Sequence, residues 1–500
     1  MSNRLILLMA LLLSLVTGNT QSADIVTNCF QQGALGNCSG QVLQHVEFKS
    51  VVLQFVDPAN TKLGEGLARI YWREVLDSIS DLPKAGVILA YDRDGDIETA
   101  LGEANLGEFL QREYHDAALA IALQQQAKMA IWGAVLPDGD QIYVQTFLTL
   151  QQSENEPWTT ISVAPKQSAG VRLSAPLSRN RLNLPALIRS RESLFHRWFV
   201  TRCALSAGCP NGVELRAEPS STANVVAHVP EGNQIEVTDM QNQWMKVRSS
   251  DRDGQDQWIN IYHLEMFPET VQFENRKNVN LRAGPNGEKL DSVNLNGQYR
   301  VLNAVRYGPY KEPWYQIEIN GRKGWIAGRL VQYRSYIFSG VHLIAGLYRY
   351  GRGDYAGAGN ELRAFLAETP EEDNVTRAVA FRFLAASQLA GTNVHSEKVK
   401  NALKNIGTAI ELTPFDASGY TFRALVNAGS AEQLTPAIDD LKQALKLNRR
   451  DENALQLLES MNLIYNKVDD VTFGPGRTEP LIKIELDKLA KSYLKEPGSG

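Results

Sequence analysis

Five hundred residues are too many for one hydrophobic core, and the length sets an expectation of roughly three to four domains. Hydrophobic residues at 43% and charged residues at 21% are ordinary for a globular chain. A formal charge of −5 gives no footprint for a nucleic-acid protein, while leaving room for one basic face on one domain.

The N-terminus predicts export. Arg4 is followed by an almost unbroken apolar stretch from Leu5 to Val16, short for a membrane span. Gln21-Ser22-Ala23 then precedes Asp24, so a signal peptide over 1–23 is expected, cleaved near Ala23. The alternative is an uncleaved anchor. Cys29 lies well past the apolar stretch, which argues against a lipoprotein signal. No second apolar run is long enough to span a bilayer, so no transmembrane segment is expected in the mature chain.

The four cysteines are Cys29, Cys38, Cys203 and Cys209. In an oxidising compartment they are expected to pair. We favour Cys29–Cys38 and Cys203–Cys209, each closing a short loop, although four cysteines allow three pairings. A metal site is the rival reading, but no spacing is C-x-x-C, and His45 and His196 fall outside any zinc-ligand pattern.

Residues 46–150 read β-α-β-α-β-β. The strands are Phe48 to Val56, Val87 to Tyr91, Met129 to Leu136 and Gln141 to Leu150. The helices are Leu63 to Ile79, with Leu67, Ile70, Tyr71, Val75 and Ile79 at helical spacing, and Leu101 to Lys128. Pro137-Asp138-Gly139-Asp140 is a hairpin turn. Three features of this segment resemble the N-terminal domain of the TolB translocation protein. They are Val51-Val52-Leu53-Gln54-Phe55, Ala130-Ile131-Trp132-Gly133-Ala134-Val135 and the Asp-Gly-Asp hairpin. Lipoprotein activators of penicillin-binding proteins and curli-secretion lipoproteins have similar folds. The resemblance implies a periplasmic platform for binding proteins.

Residues 151–182 are polar and read as a loop or irregular hairpin. Pro185 to Phe199 is predicted as a helix with Pro near its first turn and Leu187, Leu194, Phe195 and Trp198 on its buried side. It closes the α/β domain, 24–200, as a linker helix.

Two segments then repeat one pattern. Val213-Glu214-Leu215-Arg216-Ala217 matches Val279-Asn280-Leu281-Arg282-Ala283, and each is followed by a Pro turn. Each runs on to a Trp, Trp244-Met245-Lys246-Val247 or Trp314-Tyr315-Gln316-Ile317, and ends on Trp258-Ile259 or Gly324-Trp325-Ile326. The pattern resembles the bacterial SH3-like (SH3b) family over 211–268 and 272–333. That resemblance implies small β-barrels that bind peptides or cell-wall polymers and carry no catalysis.

Residues 337–465 are Ala-rich and helical. Gly346, Ala358 and Pro370 are twelve and twelve apart, as are the small, small and closing Pro positions of a tetratricopeptide repeat. Ala402, Ala409 and Pro414, then Ala437 and Ala444, repeat parts of the pattern. The segment resembles about three degenerate repeats, departing at Phe365 and around Thr392–Ser396. Leu481 to Tyr493 suggests a capping helix within 466–500, ahead of a flexible end.

No segment of the sequence carries the signature of a catalytic centre. The cysteines fall in apparent pairs, no nucleophile elbow occurs, and the seven histidines are scattered. Asp92, Asp94, Asp96 and Glu103 have calcium-loop spacing, but Ile97 stands where a Gly is needed for the turn, so Asp96 reads as a helix cap. Arg352-Gly353-Asp354 reads as a helix–helix turn. Among the barrel aromatics the candidate ligand-binding residues are Tyr307, Tyr310, Trp314, Tyr315, Trp244 and Tyr262, because aromatic grooves suit extended ligands.

The expected molecule is a multidomain α+β protein. It has an α/β N-terminal platform, two small SH3-like β-barrels and an all-α helical-repeat C-terminal domain. Its expected role is that of a non-enzymatic periplasmic scaffold binding peptidoglycan or envelope proteins, with no cofactor, no metal and no nucleic acid. The alternative is an enzyme or enzyme activator of envelope metabolism, with residues 24–200 carrying or switching activity.

Overall fold

The structure is a computed structural model. It describes residues 28–31, 34–37, 48–79, 82, 85–90, 112–151, 160–163, 173–176, 181–195, 197–203, 209, 211–248, 256–307, 312–369, 371, 373–390, 396–428, 433–467 and 479–494. The expected signal peptide, Cys38, the Asp92–Glu103 loop and Tyr310 lie outside these residues.

A short hairpin, β1 (Asn28–Gln31) and β2 (Ala34–Asn37), precedes the platform. The platform follows the expected order: β3 (Phe48–Leu53), α1 (Gly64–Ser78), β4 (Ala85–Ala90), α2 (Arg112–Gln124), β5 (Met129–Asp138) and β6 (Gln141–Leu150). Strands β4, β3 and β5 are parallel, and β6 then turns back antiparallel. Every residue of β3 is buried, because the sheet is covered on both faces. Phe48 and Val52 join the core on the α1 side, while Val51 and Leu53 pack on the α2 side with Trp132 and Phe147.

The stretch 151–182 contains a hairpin of β7 (Thr160–Val163) and β8 (Leu173–Pro176). The helix expected over Pro185–Phe199 is not formed. Instead β9 (Arg181–Ser190) extends the platform sheet beside β6, a five-residue helix α3 (Arg191–Phe195) follows, and β10 (Arg197–Thr201) begins the next module. Pro185 is tolerated in β9 because the register shifts there: Val144 pairs with Leu187 and Thr146 with Leu184. Pro185 and Ala186 thus oppose Gln145 alone, a bulge in which a missing N–H costs no ladder bond. Gln145 Nε2 donates to the Leu184 carbonyl at 2.9 Å. Leu187, Leu194 and Phe195 are buried as expected, but Trp198 is 48% exposed.

Barrel 1 comprises β10, β11 (Val213–Arg216), β12 (Val225–Val229), β13 (Gln234–Gln241), β14 (Trp244–Arg248), β15 (Gln257–Asn260) and β16 (Leu264–Met266), in the order β12-β11-β15-β14-β13-β10-β16. It takes its first strand from residues ahead of 211. Cys203 and Cys209 form a disulfide, Cα–Cα 5.5 Å, in the connection from β10 to β11.

Barrel 2 comprises β17 (Thr270–Arg282), β18 (Lys289–Tyr307), β19 (Glu312–Ile319), β20 (Arg322–Ala327) and β21 (Tyr333–Arg334). Strand β18 pairs with both β17 and β19, which closes the sheet. Val271, Leu281, Leu295, Tyr315, Ile317 and Ile326 fill the interior. A side chain at Gly324 would put its Cβ 2.3 Å from Leu281 Cγ, so the Gly before the closing Trp is required by the core.

The remaining described chain is helical: α4 (Gly340–Gly351), α5 (Tyr355–Glu368), α6 (Asn374–Leu389), α7 (Ser396–Leu412), α8 (Ala417–Ala428), α9 (Leu434–Leu447), α10 (Glu452–Lys467) and α11 (Glu479–Tyr493). At Gly346 a Cβ would come 2.9 Å from Leu362, which explains the small residue where α4 meets α5. Gly353 adopts φ +79° in the turn between them, and Asp354 caps α5 by accepting the Gly357 N–H at 2.9 Å. No helix among the described residues is long and apolar enough to cross a membrane.

Candidate functional site

The two barrels share one arrangement around the repeated arginine. Arg216 pairs across the sheet with Trp258, and Arg282 pairs with Trp325. Each arginine then ties down its own Pro turn: Arg216 Nη1 donates to the Ala223 carbonyl at 2.7 Å, and Arg282 Nη1 donates to the Gly287 carbonyl at 2.6 Å. The arginine of the repeated Leu-Arg thus braces the turn. The sequence pattern carried this signal, but in a form that reads equally as a ligand contact.

Alternation along each strand sorts the aromatic residues. On β19, Tyr315 and Ile317 point into the barrel core. Trp314 lies on the opposite face, where it packs with Trp325, Ala327, Val305 and Leu330 in a separate outer cluster. Trp314 is 4% exposed and Trp325 9%, so this outer shelf is itself largely covered. In barrel 1, Trp244 is buried and Trp258 half-buried. The structure therefore gives Trp244, Trp314 and Tyr315 packing positions. Tyr307 ends β18 with its side chain outside the described residues, as is Tyr310.

Tyr262 lies in a one-turn 3-10 helix, Ile261–His263, that closes barrel 1. It faces the platform: the Arg69 guanidinium stacks on its ring at 4.7 Å and donates to its hydroxyl. Further links run Asn242 N–H to the Lys62 carbonyl at 2.8 Å and Arg191 Nε to Asp239 Oδ1 at 2.8 Å. The cores of the platform, barrel 1 and the helical array are continuous, while barrel 2 keeps a core of its own.

Where the platform and the two barrels meet there is a shallow cleft, lined by Glu74 and Asp77 of α1, Trp198, Met266, Pro268 and Arg334 among others. Arg334 spans it. Its Nη2 donates to the Asp77 carbonyl at 2.9 Å and to the Tyr336 hydroxyl at 3.3 Å, and its Nη1 reaches the Tyr315 hydroxyl at 3.3 Å. Burial opposes the Arg334 charge, but Tyr315, Tyr336 and Asp77 outweigh it and hold the guanidinium firmly protonated. Burial likewise pushes the Tyr336 hydroxyl well above its ordinary range. Sequence reasoning missed Arg334 and Glu74, because each acts on a residue some 250 positions away. Among the described residues no group of three or more His, Cys, Asp or Glu is arranged to hold a metal ion.

No curated protein matches the chain. Among solved structures, NlpC2 from Trichomonas vaginalis is 16% identical, over 28% of this chain and 48% of its own, with a TM-score of 0.14. NlpC1 from Trichomonas vaginalis is 18% identical, over 34% of this chain and 52% of its own, also at 0.14. The chain spans about half the length of these structures. The bacterial SH3 domain model matches residues 211–262 and 277–332, so the two barrels, with their braced arginines and paired tryptophans, are a tandem of bacterial SH3 domains.

Proposed function

We propose that the chain is a non-enzymatic scaffold of the cell envelope, exported to the periplasm, that binds cell-wall glycopeptide through its bacterial SH3 domains. The observation that carries this reading is the tandem match itself, because such domains point to cell-wall binding and envelope proteins. The helices are read as tetratricopeptide-like repeats. Their first helices are drawn against the platform: Thr376 Oγ1 on α6 donates to the Asn183 carbonyl at 2.6 Å, and Tyr348 on α4 donates to the Gly86 carbonyl at 2.8 Å. On this reading the array positions the barrels, and the platform offers a surface to envelope proteins.

Incubating the mature chain with purified peptidoglycan tests the proposal. Sedimentation with the wall and no release of soluble fragments is expected. Released fragments would place the chain among envelope enzymes, and failure to sediment would remove the wall as its partner.

A further inference from the structure

We propose that the two SH3 domains have divided their labour: barrel 1 is a fixed structural element, and barrel 2 is the wall contact, gripping the peptide carboxylates of the wall glycopeptide. The inference rests on the wall-binding reading above and adds to it the module and the chemistry.

Charge separates the two barrels. Residues 197–268 carry six Lys and Arg against nine Asp and Glu, whereas residues 270–334 carry eleven against five. A basic module inside a chain of net charge −5 marks the place where an anionic partner is attracted. The inversion extends to single equivalent positions. Two residues before the closing Trp, barrel 1 has Asp256 and barrel 2 has Lys323. Asp256 neutralises Lys246 at 2.6 Å. Lys323 is exposed and shares the outer face of β20 with Trp325; its cross-strand neighbour is Glu318, yet no ion pair within 4.0 Å joins them among the described residues. At the equivalent one-turn helices, barrel 1 places Tyr262 under Arg69, and barrel 2 places the exposed Arg329. Arg276 and Lys277 stand exposed where β17 bulges, and Lys289 opens β18.

Attachment separates them as well. Barrel 1 shares one continuous core with the platform and helices, while barrel 2 has its own. A domain whose surface is spent on its neighbours has less to offer a polymer than one that exposes Arg276, Lys277, Lys289, Lys323 and Arg329. The wall glycopeptide is the occupant that matches both features, since it is a long polymer, anionic through the free carboxylates of its stem peptides.

The test uses the full mature chain and purified sacculi. One variant combines Lys277→Glu, Lys289→Glu and Lys323→Glu. A control of equal charge change combines Lys398→Glu, Lys400→Glu and Lys404→Glu, all exposed on α7. Thermal melts check that both fold. The barrel 2 variant should lose tenfold or more in affinity for sacculi, while the control stays within twofold. Sacculi whose carboxylates have been amidated should bind the unmodified chain comparably weakly, and added salt should weaken binding to native sacculi. If both variants bind sacculi like the unmodified chain, the present inference falls and wall binding stands. If the unmodified chain does not bind sacculi, the wall reading falls as well. Tighter binding to phosphatidylglycerol vesicles than to sacculi, lost in the barrel 2 variant, would overturn the glycopeptide as the occupant.

Discussion

The guanidinium carbon of Arg69 lies 4.7 Å from the centre of the Tyr262 ring. One residue belongs to the platform helix α1 and the other to the last turn of barrel 1, so this pair fixes two modules face to face. Glu65 holds the far side of the same guanidinium at 2.6 Å, and the arginine side chain is 2% exposed. Burial works against its charge, and Tyr262 and Glu65 together more than restore it. An aromatic that sequence reasoning offers to a ligand is here consumed by the protein itself.

Tyr262→Phe should therefore cost roughly 1–2 kcal/mol, the loss of one hydrogen bond to a charged group, with the ring still under the guanidinium. Tyr262→Ala should cost about 3 kcal/mol, because the stacking surface goes too. Denaturant unfolding measures both. Binding to sacculi should be unchanged in Tyr262→Phe, and a tenfold loss there would return Tyr262 to the ligand site.

A second joint depends on one carboxylate. Glu74 is buried, and its two oxygens accept the backbone N–H groups of Ile337 at 2.6 Å and Phe338 at 3.2 Å, just ahead of α4. Glu74→Gln leaves one oxygen for two donors and turns an NH2 toward the other, at a cost of roughly 1–3 kcal/mol. Amide hydrogen exchange at Ile337 and Phe338 should accelerate ahead of the barrel interiors. Unchanged protection there would show that neighbouring packing alone holds the joint.

Most of the fold was legible in the sequence because it is local. The alternation in Gln141 to Leu150, the helical spacing of Leu67 to Ile79 and the repeated Val-x-Leu-Arg all report short-range geometry. The failure at Pro185–Phe199 has a physical source: Leu187, Leu194 and Phe195 are buried, as a helix would require, but by a strand and a short turn of helix in succession. A proline that reads as a helix start sits instead in a bulge opposite Gln145. The site was less legible. That Tyr315 faces inward while Trp314 faces outward follows from strand alternation once the register is known. That Tyr262 meets Arg69, or Arg334 meets Asp77, depends on how modules dock, which no local pattern encodes.

The outer shelf of barrel 2 should behave as structure before it behaves as a binding surface. Trp325 packs against Trp314, Val305, Ala327 and Leu330 outside the main barrel core. Trp325→Ala should cost about 3 kcal/mol, toward the low end for a large-to-small change, because the cluster around it is small and two of its members, Val305 and Leu330, are only partly buried. Unfolding should then proceed in two steps, with barrel 2 first, because its core is separate from that of the other modules. A single cooperative transition at the unmodified midpoint would contradict this account.

The disulfide gives barrel 1 a comparable test. Cys203 and Cys209 close a short ring between β10 and β11, where barrel 2 runs through a bulged continuous strand. A ring of this size constrains the unfolded chain by about 2 kcal/mol. Cys203→Ser with Cys209→Ser should destabilise by that amount, read by denaturant unfolding, and leave binding to sacculi intact. Lost wall binding with unchanged stability would place the ligand at barrel 1.

Acid should weaken the platform through His115. The ring is 3% exposed, edge-on to Trp132 and Phe147 at 5.1 and 5.8 Å, and its Nδ1 lies 2.8 Å from Thr149 Oγ1. Thr149 already accepts the Trp132 indole N–H at 3.1 Å, which leaves its own proton to donate to a neutral imidazole. Burial, helped by Arg181 and only partly opposed by Asp116, lowers the His115 pKa from 6.5 to about 4. The unfolded chain therefore takes up this proton first as pH falls. Between about 6.5 and 4 the unfolded state binds more protons at this site than the folded state, so stability declines with acidification across that window. Above 6.5 the imidazole is neutral in both states and contributes no slope. His115→Gln keeps an acceptor for Thr149 and removes the titration. Its melting temperature should be lower than that of the unmodified chain at pH 7.5, and the gap should narrow as pH is lowered toward 4. A gap that stays constant across the window would mean that His115 titrates alike in the folded and unfolded chain.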